Sequence, residues 1–251
     1  MLAFLLNSTQ LKQINHTYYL KKLPLERQLL LQSYKFEADY LASLAGDMLL
    51  EYGINKLYGI TEIPLISLGE HGKPFFENSN IHFNISHSGK YTLCAIGNTP
   101  VGIDIQEINF FDEQQIMSIV NHFFSSSEKK LINESNCPVD LFFTLWCLKE
   151  SYVKYTGTGL TVPLDSFSFS PKKDSPFVEF YSNGQNYSSP YFYTSSIDDN
   201  YKLAICSEDK SLSIKKLDIF DKVKDLFISK YLNIEYDNLD FEKEKYIFFP
   251  M

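Results

Sequence analysis

A predicted helix in the middle of the chain carries the side chains best placed to do chemistry. Trp146, Glu150 and Lys154 recur at four-residue spacing and therefore share one stripe of that helix, with Lys149 beside them. One carboxylate thus lies between two ammonium groups, near the only tryptophan of the chain. From the helix alone, the favoured interpretation is an exposed Glu150–Lys154 pair that stabilises the helix by about 0.2–0.5 kcal/mol.

A second candidate, Asp104, falls inside an apolar strand predicted over residues 101–105. Because an unpaired buried charge is costly, this carboxylate needs a partner. Alternation with a period of two places Gly102, Asp104 and Gln106 on one face, and Glu107 on the other. Two interpretations stay open at this point: an aspartate bonded to loop backbone at the strand end, or a metal ligand.

Two further polar segments have ordinary explanations beside the chemical ones. The predicted loop from Ser86 to Lys90 combines hydroxyls, His87, a glycine and a lysine, which together could bind an anion. Taken alone, this loop is better explained as a common Ser/Gly turn. Ser125 and Glu128 match a capping box, which is a sufficient structural role for Glu128.

The elements that must position these side chains follow from periodicity and punctuation. The organising helix has an apolar stripe at Leu141, Leu145, Leu148 and Tyr152 and should end at the glycines that follow. Other helices are predicted from Pro24, from Phe36 to about Gly53, from a cap at Asp112 through Val120, and near residues 217–232. Strands are predicted over residues 2–6, 81–85, 166–169, 177–181, 191–194 and 203–206. Residues 91–96 and 101–105 are predicted to pair as a hairpin around Asn98-Thr99-Pro100.

Composition limits the classes of protein this chain can be. At 251 residues with 44% hydrophobic side chains, it can bury a core as one domain or two small ones. The net charge of −8 argues against general nucleic-acid binding. Four scattered cysteines without a C-x-x-C pair fit a reduced, cytoplasmic protein, and no apolar run approaches the roughly 18 residues of a membrane span.

Several short motifs occur in a common order between about Leu23 and Ser207, and together they carry a family resemblance. Through them the chain resembles the surfactin-synthetase-type 4′-phosphopantetheinyl transferases. Each motif is weak alone, and the specificity lies in their shared register. The matching segments are Gly72-Lys73-Pro74, residues 83–89 (FNISHSG), residues 101–105 (VGIDI), Phe123-Phe124-Ser125 with Glu128, residues 146–154 (WCLKESYVK), and residues 157–160 (GTGL).

The resemblance implies an α+β fold in which two similar halves form a pseudo-dimer. Each half is a small antiparallel sheet packed with a helix, and the active site lies between them. We expect an N-terminal half over residues 1–103, a C-terminal half over residues 104–208, and an extension over residues 209–251 with no assigned role. The mixed pattern of helices and hairpins agrees with this fold class.

The resemblance also implies the reaction and its components. Phosphopantetheine would move from coenzyme A, the co-substrate, to a serine of an acyl or peptidyl carrier protein, leaving 3′,5′-ADP. Such carriers serve fatty-acid, polyketide or nonribosomal peptide synthesis. Mg²⁺ is the expected metal, with Mn²⁺ as an alternative, and a monomer that binds neither nucleic acid nor membrane is expected in the cytoplasm.

Residue by residue, the resemblance assigns Asp104 and Glu150 to the metal and Lys154 to phosphate charge. Glu150 and Lys149 are both candidates for handling the serine proton, and Glu150 is favoured, directly or through a metal-bound water, because a lysine base needs a depressed pKa. The nucleotide end of coenzyme A would be held by three residues: Lys73, Ser86 and His87.

Two positions depart from the family pattern. Gln106 stands where many relatives have a second acidic residue, so it could offer a carbonyl oxygen, hold a metal-bound water or do nothing, and Glu128 could supply an oxygen through water. Ala42 aligns with a helix arginine that binds the 3′-phosphate in relatives; nearby substitutes are Lys21, Lys22, Arg27 and Lys35. Two alternative functions therefore remain: a coenzyme A-binding or nucleotide-binding homologue silenced through Gln106, and an adaptor that binds carrier proteins without modifying them.

Overall fold

The computed structural model describes residues 1–108, 113–172, 175–217 and 246–248. Groups of helices follow groups of strands along the chain. The helices are α1 (Thr17–Lys22), α2 (Leu25–Ser33), α3 (Glu37–Tyr58), α4 (Glu113–Phe123), α5 (Ser126–Glu134) and α6 (Pro138–Thr156). The strands are β1 (Leu2–Asn7), β2 (Ile66–Leu68), β3 (Pro74–Phe76), β4 (His82–Ser88), β5 (Tyr91–Gly97), β6 (Val101–Glu107), β7 (Phe167–Pro171), β8 (Val178–Ser182), β9 (Gln185–Tyr187), β10 (Tyr191–Ile197), β11 (Tyr201–Ser207), β12 (Ser213–Leu217) and β13 (Tyr246–Phe248).

One arrangement occurs twice: a strand, a long helix, and then a hairpin whose second strand pairs with the first strand. In the N-terminal half it is β1, α3 and the hairpin β4–β5, with the antiparallel order β1-β5-β4. In the C-terminal half it is β6, α6 and the hairpin β10–β11, with the antiparallel order β6-β11-β10. The predicted α+β fold of two similar halves is therefore confirmed. The predicted boundary at residues 103–104 cuts through β6, all of which pairs with β11.

The core has three parts. One lies between α3 and the sheet of β1, β4 and β5, and a second lies between α6, β11 and the small sheet of β7, β8 and β9. A third joins the faces of the two main sheets that point away from the helices, and includes Leu5, Leu93, Ile103 and Ile205. The halves are thus packed sheet to sheet, with α3 and α6 outside. Among the described residues, no helix is both long and apolar enough to cross a membrane.

Helix α3 is longer than predicted, because Gly53 is a packing residue and not a helix end. A side chain added at Gly53 would collide with Ile96 and Phe4, so glycine allows the helix to approach the sheet. The helix instead ends at Gly59, which adopts the left-handed conformation at φ 67°. Helix α6 ends at Gly157, as predicted, with φ 69°.

The predicted hairpin of residues 91–96 with 101–105 is wrong. Strand β5 pairs with β1 and β4, whereas β6 pairs with β11, so the turn at residues 98–100 carries the chain from one sheet to the other. The predicted polar loop at residues 86–90 is also mostly strand. Ser86, His87 and Ser88 belong to β4, and the turn to β5 is made by Gly89 and Lys90.

The C-terminal extension contributes to the sheet of the N-terminal half. Strand β12 pairs in parallel with β1, and β13 pairs antiparallel with β12. Leu217 is the last residue of β12. The remainder of the helix predicted near residues 217–232, and the cap predicted at Asp112, lie outside the described residues.

Candidate active site

Asp104 lies where the two halves meet, at the edge of the C-terminal sheet. Its carboxylate is 1% exposed, and its Oδ1 accepts from Lys154 Nζ at 2.5 Å and from Ser86 Oγ at 2.9 Å. Its Oδ2 accepts from Gln106 Nε2 at 2.9 Å. The buried-strand carboxylate therefore has partners from three elements: helix α6, strand β4 and its own strand β6.

Close packing of β6 on α6 brings Lys154 to this point. Gly102 lies so near the helix that an added Cβ would collide with the backbone of Ser151 and Tyr155. Asp104 and Gln106 follow on the same face of β6 and are turned toward the helix, as the alternation predicted.

Glu150 lies one helical turn before Lys154 and is half-buried. In the described part of the chain, its carboxylate has no hydrogen-bond or ion-pair partner. Burial raises the pKa of Glu150, the negative charge of Asp104 raises it further, and the ammonium of Lys154 partly opposes both. An unpartnered carboxylate facing a second carboxylate is an arrangement that a cation would stabilise.

Two carboxylates at one site provide the hard oxygen ligands that Mg²⁺ prefers, with water and phosphate oxygens free to complete the set. Within the described ranges, no group of three or more His, Cys, Asp or Glu side chains could hold a metal ion. The donor set therefore fits a cation shared with substrate oxygens and does not fit an all-protein cage.

The three residues predicted for the nucleotide end of coenzyme A have different surroundings. Ser86 is buried against Asp104, whereas His87, the next residue in β4, is exposed. Partial burial and the charge of Lys154 lower the pKa of His87, with Asp39 and Asp104 opposing. Lys73 donates to the carbonyl oxygens of Val101 and Tyr155 at 3.0 Å each, and burial lowers the pKa of this lysine to about 8.

Lys149 is not brought to this site, although it was expected beside Glu150. A step of 100° per residue turns it away from the stripe of Glu150 and Lys154 and into the core of the C-terminal half. Its ammonium contacts Glu128 Oε2 at 2.8 Å and donates to the carbonyl oxygens of Leu164 at 2.7 Å and Phe167 at 2.9 Å. Burial lowers the pKa of Lys149, and Glu128 opposes that change.

Glu128 belongs to the same buried pair. It completes the predicted capping box, accepting from the backbone N–H and the hydroxyl of Ser125 at 2.9 Å each, and also accepts from the N–H of Phe169 at 3.1 Å. Both Glu128 and Lys149 have fully buried side chains. The structure therefore gives this pair a packing role, away from Asp104 and Glu150.

The basic residues considered as substitutes for a 3′-phosphate site do not gather at one place. Arg27 is bonded to Asp47 at 2.9 Å and to the Ser43 hydroxyl at 2.7 Å, whereas Lys21, Lys22 and Lys35 are exposed. Ala42, the aligned position, is buried in α3. None of these positions is assigned to a phosphate.

Sequence reasoning missed Asn84 and Ser88, two residues that join β4 to β6 on either side of Ser86. Their side chains, like that of Ser86, accept hydrogen bonds from backbone N–H groups of β6. The available signal is the polar residue at every second position of residues 84–88, which the predicted strand of residues 81–85 and loop of residues 86–90 divide between two elements.

Comparisons with known proteins agree on one family. Residues 100–206 match the family model "4′-phosphopantetheinyl transferase superfamily", and residues 11–99 match "4′-phosphopantetheinyl transferase, N-terminal". A 4′-phosphopantetheinyl transferase of Bacillus subtilis is 37% identical over 171 residues, covering 66% of this chain and 73% of the relative. The 4′-phosphopantetheinyl transferase gsp of Aneurinibacillus migulanus is 36% identical over 201 residues, covering 77% and 81%. A solved holo-[acyl-carrier-protein] synthase of Thermotoga maritima aligns with a TM-score of 0.35 and 21% identity, over 47% of this chain and 69% of that one.

Proposed function

This chain belongs to the 4′-phosphopantetheinyl transferase superfamily, and we propose that it transfers 4′-phosphopantetheine from coenzyme A to a serine of an acyl or peptidyl carrier protein. The products are the holo-carrier and 3′,5′-ADP. The observation that carries the proposal is the group at the junction of the halves, where Asp104 is held by Lys154 beside Glu150, whose carboxylate has no partner among the described residues.

The chemistry requires the residue types that this group contains. Attack of a serine hydroxyl on a pyrophosphate phosphorus needs charge neutralisation, in-line positioning and removal of the hydroxyl proton. Lys154 supplies a positive charge at the site, and its side chain is 29% exposed, so the residue is partly open to a phosphate. Glu150 supplies a carboxylate that has no partner in the part of the chain that the structure describes, which suits the removal of a proton.

Asp104 and Glu150 would together hold Mg²⁺, or Mn²⁺ in its place. When bound, the ion would neutralise the negative charge of the pyrophosphate. Asp104 is oriented for this by its hydrogen bonds, and Gln106 keeps its Nε2 on Asp104, which leaves its carbonyl oxygen to accept from a water molecule. Metal dependence and the role of Gln106 are parts of the proposal.

Of the two candidates for the serine proton, we assign the role to Glu150. All three hydrogens of the Lys149 ammonium are used by Glu128, Leu164 and Phe167, and the lysine is sealed from solvent. Its role is therefore structural. At the nucleotide end, we assign phosphate contact to His87, which is exposed on β4, and a second contact to the remaining N–H of Lys73.

The site needs no second copy of the chain, because β4, β6 and α6 of one chain supply all its parts. On this ground we propose a monomer. Three of the four cysteines are buried free thiols, which supports a reducing, cytoplasmic setting.

The test is the mass of a panel of apo carrier proteins after incubation with this protein and coenzyme A, with Mg²⁺ or with EDTA. We expect a serine-linked gain of one phosphopantetheine that is lost in EDTA. Coenzyme A binding without mass gain on any carrier would overturn the proposal in favour of a silenced binding protein. A gain that persists in EDTA would retain the transferase and overturn its metal dependence.

A further inference from the structure

We infer that Ser86 is a positioning residue, which fixes the Asp104 carboxylate at the join between the halves and does not bind the nucleotide. This inference rests on the proposed function, because it concerns how the same site is held in shape. It replaces the nucleotide-binding role that the family resemblance implies for this serine.

The argument begins with two strand edges that meet without forming a backbone ladder. Strand β6 is the edge of one sheet and β4 is the edge of the other. On β6, the backbone groups of alternate residues point away from its partner β11, and buried N–H groups need acceptors. Three side chains of β4 provide them: Asn84 Oδ1 accepts from Ile103 at 2.8 Å, Ser86 Oγ from Ile105 at 3.3 Å, and Ser88 Oγ from Glu107 at 2.9 Å.

We call this row of three contacts, made by Asn84, Ser86 and Ser88, the seam. Lys73 extends it by one further position, since its ammonium donates to the carbonyl oxygen of Val101. Polar residues at every second position of β4 thus satisfy backbone groups at every second position of β6. The seam accounts for the polar pattern of residues 84–88 without any bound anion.

Ser86 alone among the three β4 side chains also reaches the site. Its hydroxyl donates to Asp104 Oδ1 at 2.9 Å and accepts from Lys154 Nζ at 3.0 Å, besides accepting from the N–H of Ile105. A serine hydroxyl has one hydrogen to donate and two lone pairs to accept with, so all its capacity is used. Ser86 is also only 5% exposed, so little of the residue is open to a ligand.

The consequence is a restraint on Asp104 from the opposite half of the molecule. Without the Ser86 hydroxyl, Oδ1 keeps only Lys154, which is partly exposed, and Oδ2 keeps Gln106. The carboxylate would then be free to turn about its side-chain torsions. Loss of a hydrogen bond that orients a metal-binding carboxylate typically costs about 10- to 100-fold in metal affinity or activity.

The test compares Ser86→Ala with the matched control Ser88→Ala, which breaks the neighbouring seam contact without touching Asp104. Coenzyme A binding is measured by calorimetry in EDTA, and kcat and the Mg²⁺ requirement are measured in the transfer assay. We expect kcat of Ser86→Ala to fall about 10- to 100-fold or its Mg²⁺ requirement to rise by that factor. The dissociation constant for coenzyme A in EDTA should stay within about twofold, and the control should keep both kcat and binding.

A coenzyme A dissociation constant that rises about tenfold or more in EDTA for Ser86→Ala alone would overturn the inference, because it would indicate a direct contact. Equal kcat losses in both variants would also overturn it, since they would indicate a general effect of the seam. Backbone amide exchange gives a reading independent of turnover: Ser86→Ala should speed exchange at Ile105, and Ser88→Ala at Glu107.

Two further outcomes separate this inference from the proposed function. If the wild type binds coenzyme A but modifies no carrier, the proposed function fails, and the binding measurement in EDTA still decides whether Ser86 contacts the nucleotide. If Ser86→Ala does not fold, Ser86→Cys takes its place in the same measurements, because a thiol keeps the size of the side chain but is only a weak donor and acceptor. A rise of about tenfold in its coenzyme A dissociation constant in EDTA would overturn the inference.

Discussion

Two lysines of helix α6, five residues apart, each pair with a carboxylate of another element, and the two pairs have opposite characters. Lys149 and Glu128 meet at 2.8 Å with both side chains fully buried, whereas Lys154 and Asp104 meet at 2.5 Å with exposures of 29% and 2%. The sealed pair, Lys149 with Glu128, lies wholly within the C-terminal half. The open pair, Lys154 with Asp104, joins α6 to β6 and also contacts Ser86 of the N-terminal half.

The type and spacing of the charges do not by themselves decide what a lysine–carboxylate pair can do. What decides it is whether protein partners already use all the hydrogen-bonding capacity of the pair. Every hydrogen of the Lys149 ammonium is used by protein acceptors, so this lysine has no hydrogen-bond donor left for a ligand. At the open pair, the lysine is accessible and Glu150 remains without a partner among the described residues. Capacity for a ligand therefore remains at the open pair alone.

The largest effect is expected from Glu150→Gln, which removes a carboxylate at the open pair. Transfer should fall about 10³-fold or more, as for loss of an essential metal ligand or base. We expect the folded protein to become more stable at pH 7 in EDTA, because the variant no longer buries this charge. Kinetics and urea unfolding measure the two changes; Glu134→Gln, at an exposed position, is the control and should alter neither.

The pH dependence of that stability gain follows from the raised pKa of Glu150. Between the ordinary and the raised pKa, the folded state holds more protons than the unfolded state, so this group costs stability as pH rises through that window. The advantage of Glu150→Gln should therefore shrink as pH falls toward the ordinary glutamate pKa. A stability gain of Glu150→Gln that grows as the pH falls would contradict the raised pKa of Glu150.

Lys149→Met should have the next largest effect, and on stability. It leaves Glu128 buried without its cation, which typically costs about 3–5 kcal/mol of unfolding free energy. The double variant Glu128→Gln with Lys149→Met should cost less than the sum of the single changes, because the uncompensated charge is gone. Urea unfolding measures these values. Lys149→Met should keep its turnover per folded molecule. A loss of that turnover would indicate that Lys149 takes part in the reaction.

Lys154→Met should reduce transfer more than it reduces stability, which is the reverse of Lys149→Met. Its combined effect on the protein should be smaller. Transfer should fall about 10²-fold, the loss typical when one group that stabilises transition-state charge is removed. The loss of stability should be smaller than for Lys149→Met, because the Lys154 side chain is 29% exposed and its pair is partly screened by solvent, whereas Lys149 and Glu128 are fully buried. Equal losses of unfolding free energy in Lys149→Met and Lys154→Met would contradict the distinction between the sealed and the open pair.

Gln106→Glu is the mildest change and concerns the metal. It replaces the N–H donor to Asp104 with a third carboxylate, so the protein should melt lower in EDTA through charge repulsion. Added Mg²⁺ should reverse that loss, and the Mg²⁺ concentration for half-maximal transfer should fall about tenfold. A variant whose melting temperature does not respond to Mg²⁺ would argue against a cation at Asp104.

Local features of the chain were predictable, and they include much of the fold. The capping box at Ser125, helix α6 with its glycine end, and the face of β6 that carries Asp104 each depend on residues within a few positions of one another. Such patterns report backbone geometry directly. The need of Asp104 for a partner was likewise predictable from the cost of burying its charge.

The identity of that partner was not predictable from pattern alone, because it depends on how distant segments meet. Ser86 and Lys154 reach Asp104 from positions 18 and 50 residues away. The hairpin assigned to β5 and β6 failed for the same reason, since both strands suit a hairpin locally and each found another neighbour. The sequence pattern predicts a helix end at Gly53, because the packing of Phe4 and Ile96 against α3 does not show in the sequence of the helix itself.

The return of β12 to β1 has a consequence for how the protein responds to dilution. The chain crosses between the halves once at residues 98–100 and again before Ser213, so two covalent crossings hold together what would otherwise be a dissociable interface. Linked surfaces meet at an effective concentration that does not change with the amount of protein. The packed sheets and the polar contacts of β4 with β6 can therefore support the site at any enzyme concentration, whereas two separate subunits could dissociate on dilution.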